Sequence, residues 1–175
     1  GEGNPRNSVN LGMGLFKSED GGLTWKHLGL EKTKSIHRIL IDPTDSNTAY
    51  IGAHGDPFTP NTDRGLYKTI DGGQHFERLL YTNQTSGVAD MVMHPENPKR
   101  LFVAMYDHRR TPYSFVSGGA GSGLFVTEDG GANWLQLGPE HGLPEGDLGR
   151  IGLAIAPSQP DRMYAKIEAE KNALY

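Results

Sequence analysis

The chain has 175 residues and a formal net charge of −4, so it lacks the basic character of a nucleic-acid-binding protein. It contains no run of about twenty apolar residues that could span a membrane, and it has no cysteine for disulfides or thiolate chemistry. Its 24 glycines, 11 prolines and hydrophobic content of only 35% favour many short strands, each with one wet face, joined by tight turns.

The first predicted element is a short apolar run, Gly14-Leu15-Phe16, followed by the turn sequence Ser-Glu-Asp-Gly-Gly-Leu-Thr-Trp at residues 18–25. The same succession returns after Gly65-Leu66-Tyr67 and after Gly123-Leu124-Phe125. Leucine and aromatic residues predict a strand before each turn. Aspartate accepts hydrogen bonds from backbone N–H groups and glycine permits positive φ, so each copy predicts a β-hairpin with a structural aspartate. The alternating acidic ligands of a calcium loop are missing.

A second repeated phrase lies between these turns and predicts two strands joined by a proline-containing turn. It is centred on Pro43, then Pro95, then Pro157. The two phrases recur together every fifty to sixty residues, roughly the repeat length of β-propeller blades. Each blade then has four antiparallel strands, A to D, with the proline turn between A and B and the aspartate turn between C and D.

The aspartate turns resemble the Asp-box, or bacterial neuraminidase repeat, of sialidases, xyloglucan-hydrolysing enzymes and sortilin-type receptors. The first copy has every residue of the family pattern, whereas the other two have threonine in place of the leading serine and His75 or Asn133 in place of the later threonine. The resemblance implies an all-β fold of β-propeller blades, four-stranded antiparallel meanders. The second copy also has Phe76 in place of the tryptophan. The structural Asp-box residues are Ser18, Asp20, Gly22, Thr24 and Trp25, then Thr69, Asp71, Gly73 and Phe76, then Thr127, Asp129, Gly131 and Trp134.

The repeats predict about three blades of a larger propeller: a half blade at residues 1–33, blades at 34–87 and 88–145, and a half blade at 146–175. Closed propellers have about four to eight blades, so we expect the remaining blades to come from a longer chain or a partner chain. Phrases at residues 4–8, 63–69 and 146–154 resemble bacterial exported glycosyl-hydrolase-like or sortilin-like repeat proteins. That resemblance implies a periplasmic, cell-surface or secreted location and supplies no catalytic residues.

The loops between strands B and C, at residues 1–13, 54–64 and 107–122, vary most in sequence. In a meander they share one rim, opposite the Asp-boxes, and variable loops on a rigid scaffold often carry function. Arginine and aromatic residues are typical of binding hot spots, so we expect this rim to bind a protein or a glycan. The binding candidates are Arg6, His54, Arg64, Arg109, Arg110 and Tyr113.

Glycoside hydrolysis, sialidase- or xyloglucanase-like, is the alternative, with carboxylates shared between this segment and blades outside it. It needs two carboxylates about 5 to 9.5 Å apart, and the candidates are Asp56, Asp63, Asp107 and Asp147. Arginine suits recognition of a sugar carboxylate, but no tyrosine–glutamate pair aligns with the sialidases. Ion pairs of these arginines with Asp63 or Asp107 are the structural reading of the same residues.

The seven histidines are scattered, and no pair has the short spacing of a zinc site. The only glycine-rich run, at residues 118–121, precedes a strand rather than a helix, unlike a phosphate-binding loop. The sequence therefore predicts no metal and no cofactor.

Overall fold

The computed structural model describes residue 1, residues 9–170 and the backbone of residues 173–174. The candidate Arg6, and the phrase at residues 4–8, lie outside the described residues. The strands are β1 (Leu15–Lys17), β2 (Lys26–Gly29), β3 (Ile36–Asp42), β4 (Asp45–Ala53), β5 (Gly65–Thr69), β6 (Glu77–Leu80), β7 (Ser86–His94), β8 (Asn97–Arg110), β9 (Phe115–Ser117), β10 (Gly123–Thr127), β11 (Leu135–Leu137), β12 (Ile151–Ala156), β13 (Gln159–Ile167) and β14 (Ala173–Leu174). Two short 3-10 helices span Glu31–Thr33 and Pro139–His141.

Within the described residues the strands form four antiparallel sheets that follow one another along the chain. β1 and β2 form the first blade, and β3 to β6 form the second in sequential order. The third blade contains β7, β8, β10 and β11, with β9 paired to the end of β8, and the fourth contains β12, β13 and β14. The prediction of an all-β fold of antiparallel meander blades is confirmed. No helix in this part of the chain is both long and apolar enough to cross a bilayer.

The hydrophobic cores lie between consecutive blades, and β8 contributes to two of them. Leu101, Val103 and Met105 pack with side chains of the second blade, whereas Phe102 and Ala104 pack with the fourth blade. This division follows from strand geometry, since successive side chains point to opposite faces of a sheet. A strand buried on both faces needs a continuous apolar run, and residues 101–106 provide one.

The face of the second blade that points toward the first blade is only partly covered. Aligning Pro43 with Pro95 places Ile39 on Met91, yet Ile39 is 49% exposed and Met91 is 1% exposed. Met91 is covered because the second blade presents Leu40 and Tyr50 to it. The first blade has no counterpart of those strands within the described residues, which leaves an apolar groove of about 280 Å³ lined in part by Phe16, Trp25, Ile39 and Ile41.

Side-chain hydrogen bonds close each Asp-box turn. In the third copy, the Thr127 hydroxyl accepts from the Gly131 amide (3.0 Å) and donates to Asp129 Oδ1 (2.7 Å), which also accepts from the Asn133 amide (2.9 Å). The same bonds link Ser18 with Gly22, and Thr69 with Gly73. The turn therefore satisfies backbone donors that could not pair within a strand.

His75 and Asn133, which replace the later threonine of the family pattern, preserve this closure. The second carboxylate oxygen of the aspartate is bonded by the Thr24 hydroxyl at 2.6 Å, by His75 Nδ1 at 2.6 Å and by Asn133 Nδ2 at 2.7 Å. Three different side chains thus fill one role. Hydrogen bonds to the charged form favour it, so those from Thr24 lower the pKa of Asp20 to about 2. The pKa values of Asp71 and Asp129 are lowered too, chiefly by the amides of His75 and Asn133.

The Asp-box also joins one blade to the next. The Gly130 carbonyl accepts from Lys68 Nζ (3.0 Å) and from the Tyr50 hydroxyl (3.3 Å), both in the second blade. The neighbouring Gly131 has a φ of +99°, and a Cβ there would overlap Leu79 of the second blade. Glycine is therefore required both by the backbone conformation and by the close approach of the preceding blade.

Replacing the buried hydroxyl of the third Asp-box tests how much this turn stabilises the fold. We expect Thr127→Val to lower the free energy of unfolding by about 1–3 kcal/mol, because the Gly131 amide loses its acceptor. Urea denaturation of the full-length protein measures the change. Thr62→Val, at an exposed loop position, is the control and should alter stability by less than about 0.5 kcal/mol. Equal effects of the two substitutions would contradict this role.

The lowered pKa values of the Asp-box carboxylates predict a specific acid sensitivity. An aspartate with a lowered folded-state pKa binds fewer protons than its unfolded counterpart below about pH 4, so its stabilisation is present above that pH and is lost as the pH falls through the folded value. Asp129→Asn should therefore flatten the dependence of the urea midpoint on pH between about 4 and 3. Asp147→Asn, at an exposed loop position, should leave the slope unchanged, and an equal flattening in both variants would refute the assignment.

Candidate binding rim

The loop predicted at residues 107–122 contains a β-hairpin, which we call the rim hairpin (residues 107–117). β8 continues beyond the third blade to Arg110 and pairs with β9, so that His108 lies opposite Ser117 and Arg110 opposite Phe115. The turn closes when the Thr111 amide donates to the Ser114 carbonyl (2.9 Å) and the Ser114 amide donates to the Thr111 hydroxyl (2.9 Å). β-branched and aromatic residues favour this extension of the strand.

The tip of the rim hairpin presents aromatic and cationic side chains to solvent. Tyr113 is 98% exposed, and Phe115 and Val116 are also exposed. The Arg110 guanidinium lies 4.7 Å from the centre of the Phe115 ring, within the range of a cation–π contact. Arg109 is exposed on the same strand. The tip therefore combines a flat aromatic surface with positive charge.

Three contacts hold the rim hairpin and the residues that follow it. Near the turn, the Arg110 amide donates to the Pro57 carbonyl (2.9 Å) in the loop of residues 54–64. At the base, the Ser117 hydroxyl donates to Glu168 Oε1 (2.7 Å), just after β13 of the fourth blade. Just after the hairpin, the Gly119 amide donates to the Leu148 carbonyl (3.3 Å). The hairpin is thus fixed to the second blade through one strand and to the fourth blade through the other.

The candidate Arg64 is buried beneath the rim, at 1% exposure. Its guanidinium donates to the carbonyls of His54 (3.1 Å), Thr85 (2.8 Å) and Thr59 (3.3 Å), and to that of Asp56. Burial lowers the pKa of Arg64 to about 10, opposed by the charges of Asp56 and Asp107, so it stays protonated at neutral pH. Its guanidinium is used to fix the loop of residues 54–64 from below.

The four candidate carboxylates occupy different positions on the rim. Asp56 accepts from the Phe58 amide (2.9 Å), and Asp107 accepts from Asn83 Nδ2 (2.9 Å) and the Gly121 amide (3.3 Å). Asp56 therefore supports its own loop, and Asp107 joins its loop to the one before β7. Asp63 is half-buried beside Arg64, and Asp147 is exposed in the loop between β11 and β12. Asp56 and Asp107 thus belong to loops that touch, whereas Asp147 lies on a third loop that reaches the glycines after the hairpin.

His54 lies in a buried stack of three histidine rings, which we call the histidine stack (His37, His54 and His108). The ring centres of His37 and His54 are 4.0 Å apart, and those of His54 and His108 are 3.9 Å apart, with interplanar angles of 17° and 14°. Tyr106 stacks on His108 at 4.9 Å. Face-to-face rings do not aim their nitrogens at a common point, and no three His, Asp or Glu side chains in the described residues could share a metal ion.

Burial is the first cause that keeps His54 and His108 neutral. It lowers the pKa of His108 to about 3, with the charge of Arg64 adding to it, and lowers that of His54 well below its usual value, with His37, His108 and Arg64 adding. The ring nitrogens of His54 and His108 have no hydrogen-bond partner of ordinary geometry among the described residues. The carbonyls of Val88 and Tyr106 lie close enough to oppose the pKa shift weakly.

Asp90 connects three blades through their first strands. Arg38 Nε of the second blade donates to Asp90 Oδ1 (2.7 Å), and the Leu153 amide of the fourth blade donates to Asp90 Oδ2 (2.9 Å). The carboxylate is mostly buried in β7 and lines a polar cavity of about 200 Å³ with Arg38, His37 and Arg150. This contact fixes the angle between consecutive blades below the rim.

The histidine stack and Asp90 are the features that the sequence reading missed. Strand A begins and strand B ends at the same rim, so His37, His54 and His108 could have been assigned to one edge from the blade pattern. That they stack is not visible from spacing, because the three residues come from two blades.

Comparison with known proteins agrees with this architecture. The sequence model of the Sortilin-Vps10 family, described as sortilin, neurotensin receptor 3, matches residues 14–142. No curated protein matches the chain. The matched range contains all three Asp-boxes and the rim hairpin.

Solved structures of GH74 proteins share the fold at low sequence identity. An ancestral GH74 enzyme is 15% identical, with a TM-score of 0.64, over 90% of this chain and 19% of that one. A GH74 enzyme from Niastella koreensis is 23% identical, with a TM-score of 0.63, over 87% and 21%. The GH74 xyloglucanase from Xanthomonas campestris is 17% identical, with a TM-score of 0.67, over 93% and 25%. The chain therefore spans between 19% and 25% of the length of these structures.

The buried position of Arg64 predicts that its loss destabilises the rim. Arg64→Met should lower the free energy of unfolding by about 1–3 kcal/mol or more, because several buried carbonyls lose their donor. Arg64→Lys should recover little, since an ammonium cannot reproduce the planar fork. Denaturation of the full-length protein measures both, and Arg109→Met, at an exposed site, serves as the control. Wild-type stability in Arg64→Met would contradict the role described.

Proposed function

The chain belongs to the Sortilin-Vps10 family, and we propose that it is part of an exported β-propeller scaffold that binds a glycan through its rim hairpin. The proposal of export rests on the resemblance of residues 63–69 and 146–154 to bacterial exported repeat proteins. No cofactor or metal takes part in this function.

The exposure of Tyr113 at the tip of an anchored hairpin is the observation that carries the proposal. Covering an aromatic ring that is 98% exposed is energetically favourable. A sugar ring offers a flat apolar face of matching size. Arg109 and Arg110 add donors for hydroxyl or carboxylate groups. Hydrogen bonds to Pro57 and Glu168 already fix the hairpin, so binding costs little conformational entropy in its backbone.

Glycoside hydrolysis is the second candidate, and the contact between two acidic loops favours it. Asp56 and Asp107 lie on loops joined by the hydrogen bond from the Arg110 amide to the Pro57 carbonyl. The solved structures that share this fold are named GH74 enzymes, one of them a xyloglucanase. A hydrolase would need one of these carboxylates to act with a group from another blade.

We further propose that the groove at Ile39 and Ile41 takes strands A and B of the first blade, supplied by a longer chain or a partner chain. The template is the interface between the second and third blades, where Leu40 and Tyr50 cover Met91 and Met93. An occupant would pair with the free edge of β1 and place apolar side chains over Ile39 and Ile41.

Binding of soluble xyloglucan and a small panel of other polysaccharides to the full-length protein tests the function. Affinity gel electrophoresis should show retention by at least one polysaccharide, and Tyr113→Ala should weaken it about tenfold, as expected for a hot-spot residue. Tyr164→Ala, an exposed tyrosine on the fourth blade, is the matched control and should bind like the wild type.

The same samples distinguish binding from turnover. Binding without release of reducing ends supports the scaffold. Release of reducing ends that is abolished by Asp56→Asn or Asp107→Asn would replace it with the hydrolase. Retention by none of the polysaccharides, or equal loss in both tyrosine variants, would contradict glycan binding at the rim hairpin.

A further inference from the structure

The histidine stack lies at the junction of every element that builds the rim. The His54 amide donates to the Ser35 carbonyl (2.8 Å), and the His54 carbonyl accepts from Arg64. The His108 amide donates to the Thr85 carbonyl (3.2 Å), which also accepts from Arg64. The rings therefore fill the space between the second and third blades directly beneath the loop of residues 54–64.

The stack is also linked to the rim hairpin. Tyr106 packs on His108, and its hydroxyl lies 2.7 Å from the Ser117 hydroxyl in β9. Ser117 in turn donates to Glu168 next to β13. A change in the packing of the rings would reach the base of the rim hairpin through one side chain.

The groups that face His54 and His108 disfavour an added positive charge. From β3 comes His37, from the loop before β5 comes Arg64, and from β8 come Tyr106 and Asp107. His37 itself also lines the polar cavity with Arg38, Asp90 and Arg150. Arg64 is a buried cation whose opposing charges come from Asp56 and Asp107. Asp56 already accepts a hydrogen bond within its own loop, and Asp107 accepts from Asn83 and from the Gly121 amide. A proton on His54 or His108 would create a second buried cation beside Arg64. Its charge would lie about 4 Å from the centre of the neighbouring imidazole ring.

We propose that the histidine stack is an acid-sensitive latch: while the rings of His54 and His108 are neutral, it holds the loop of residues 54–64 and the rim hairpin against the blades, and at mildly acidic pH it lets them open. Opening exposes the imidazoles to water, where they take up protons. The latch regulates the surface to which the proposed function assigns ligand binding. Its effect on a ligand rests on the proposed function, whereas its opening does not.

The direction of the pH effect follows from proton linkage. The folded state binds fewer protons at His54 and His108 than an open state does, because burial lowers the pKa of both histidines. Opening is therefore favoured as the pH falls below about 6.5, the ordinary histidine value. Each histidine released should raise the opening equilibrium up to about tenfold per pH unit. The Asp-box carboxylates respond only below about pH 4, so they do not contribute to a change between pH 6.5 and 4.5.

Hydrogen exchange of the full-length protein without ligand, followed by mass spectrometry, measures the latch. After correction for the chemical exchange rate, protection of peptides covering residues 54–64 and 105–117 should fall at least tenfold between pH 6.5 and 4.5. Protection of the Asp-box peptide at residues 123–137 should stay constant. His54→Phe/His108→Phe keeps stacked rings without titratable nitrogens and should abolish the fall. His141→Gln, a histidine exposed outside the stack, should retain it.

Equal pH dependence of the rim and Asp-box peptides in the unsubstituted protein overturns the latch, whether or not the double variant folds. A fall that persists in a folded double variant overturns it as well. Since no ligand is present, loss of the latch leaves the glycan proposal standing, and a failed polysaccharide screen leaves the latch standing.

Discussion

The hydrogen bonds inside the Asp-box are the interaction on which the rest of this structure depends. A chain of short strands must turn every few residues, and each turn leaves backbone donors without a strand partner. Ser18, Thr69 and Thr127 each accept a hydrogen bond from the amide of the glycine four residues later. The aspartate of each turn accepts one from the amide two residues after that glycine. The turn is thereby complete without help from any loop of the opposite rim.

That self-sufficiency separates the two rims of the blades. At the Asp-box rim, Gly130 also accepts from Lys68 and Tyr50 of the preceding blade, so the same turn sets the spacing between blades. The opposite rim is free of this duty, and its loops differ in length and sequence. It still needs internal support, which Arg64 and the histidine stack supply from below. Support from buried polar groups makes the rim sensitive to charge, whereas the Asp-box is sensitive only to strong acid.

Much of the fold could be predicted because the repeats carry their own chemistry. Residues such as Asp20, Gly22 and Trp25 predict a turn, and the phrase around Pro43 predicts two strands. The blades could be predicted because these two patterns repeat together. The rim was harder, since its loops do not repeat. His54 and Arg64 were selected as binding residues for their polarity and loop position, but both are buried and hold the loop in place. Burial at such positions depends on the neighbouring blade, about which local sequence says nothing.

The rim hairpin shows the same limit in the opposite direction. Tyr113 and Arg110 were assigned to a long loop, and the structure places them on a hairpin that extends β8. The sequence contains strand-forming residues here. However, the loop residues before β10 give no indication that His108 pairs with Ser117. The residues proposed for ligand contact are those that the blades leave uncovered, not those with the most polar side chains.

Residue-resolved hydrogen exchange at neutral pH, on the full-length protein, tests the central claim most directly. The account predicts strong protection of the turn amides of Gly73, His75, Gly131 and Asn133, comparable with amides in the strands, because each donates to an Asp-box side chain. The Asp147 amide, in the exposed loop between β11 and β12, should exchange much faster. Exchange of the four Asp-box amides at the rate of the Asp147 amide would contradict the account, since the turns would then not be closed by their own side chains.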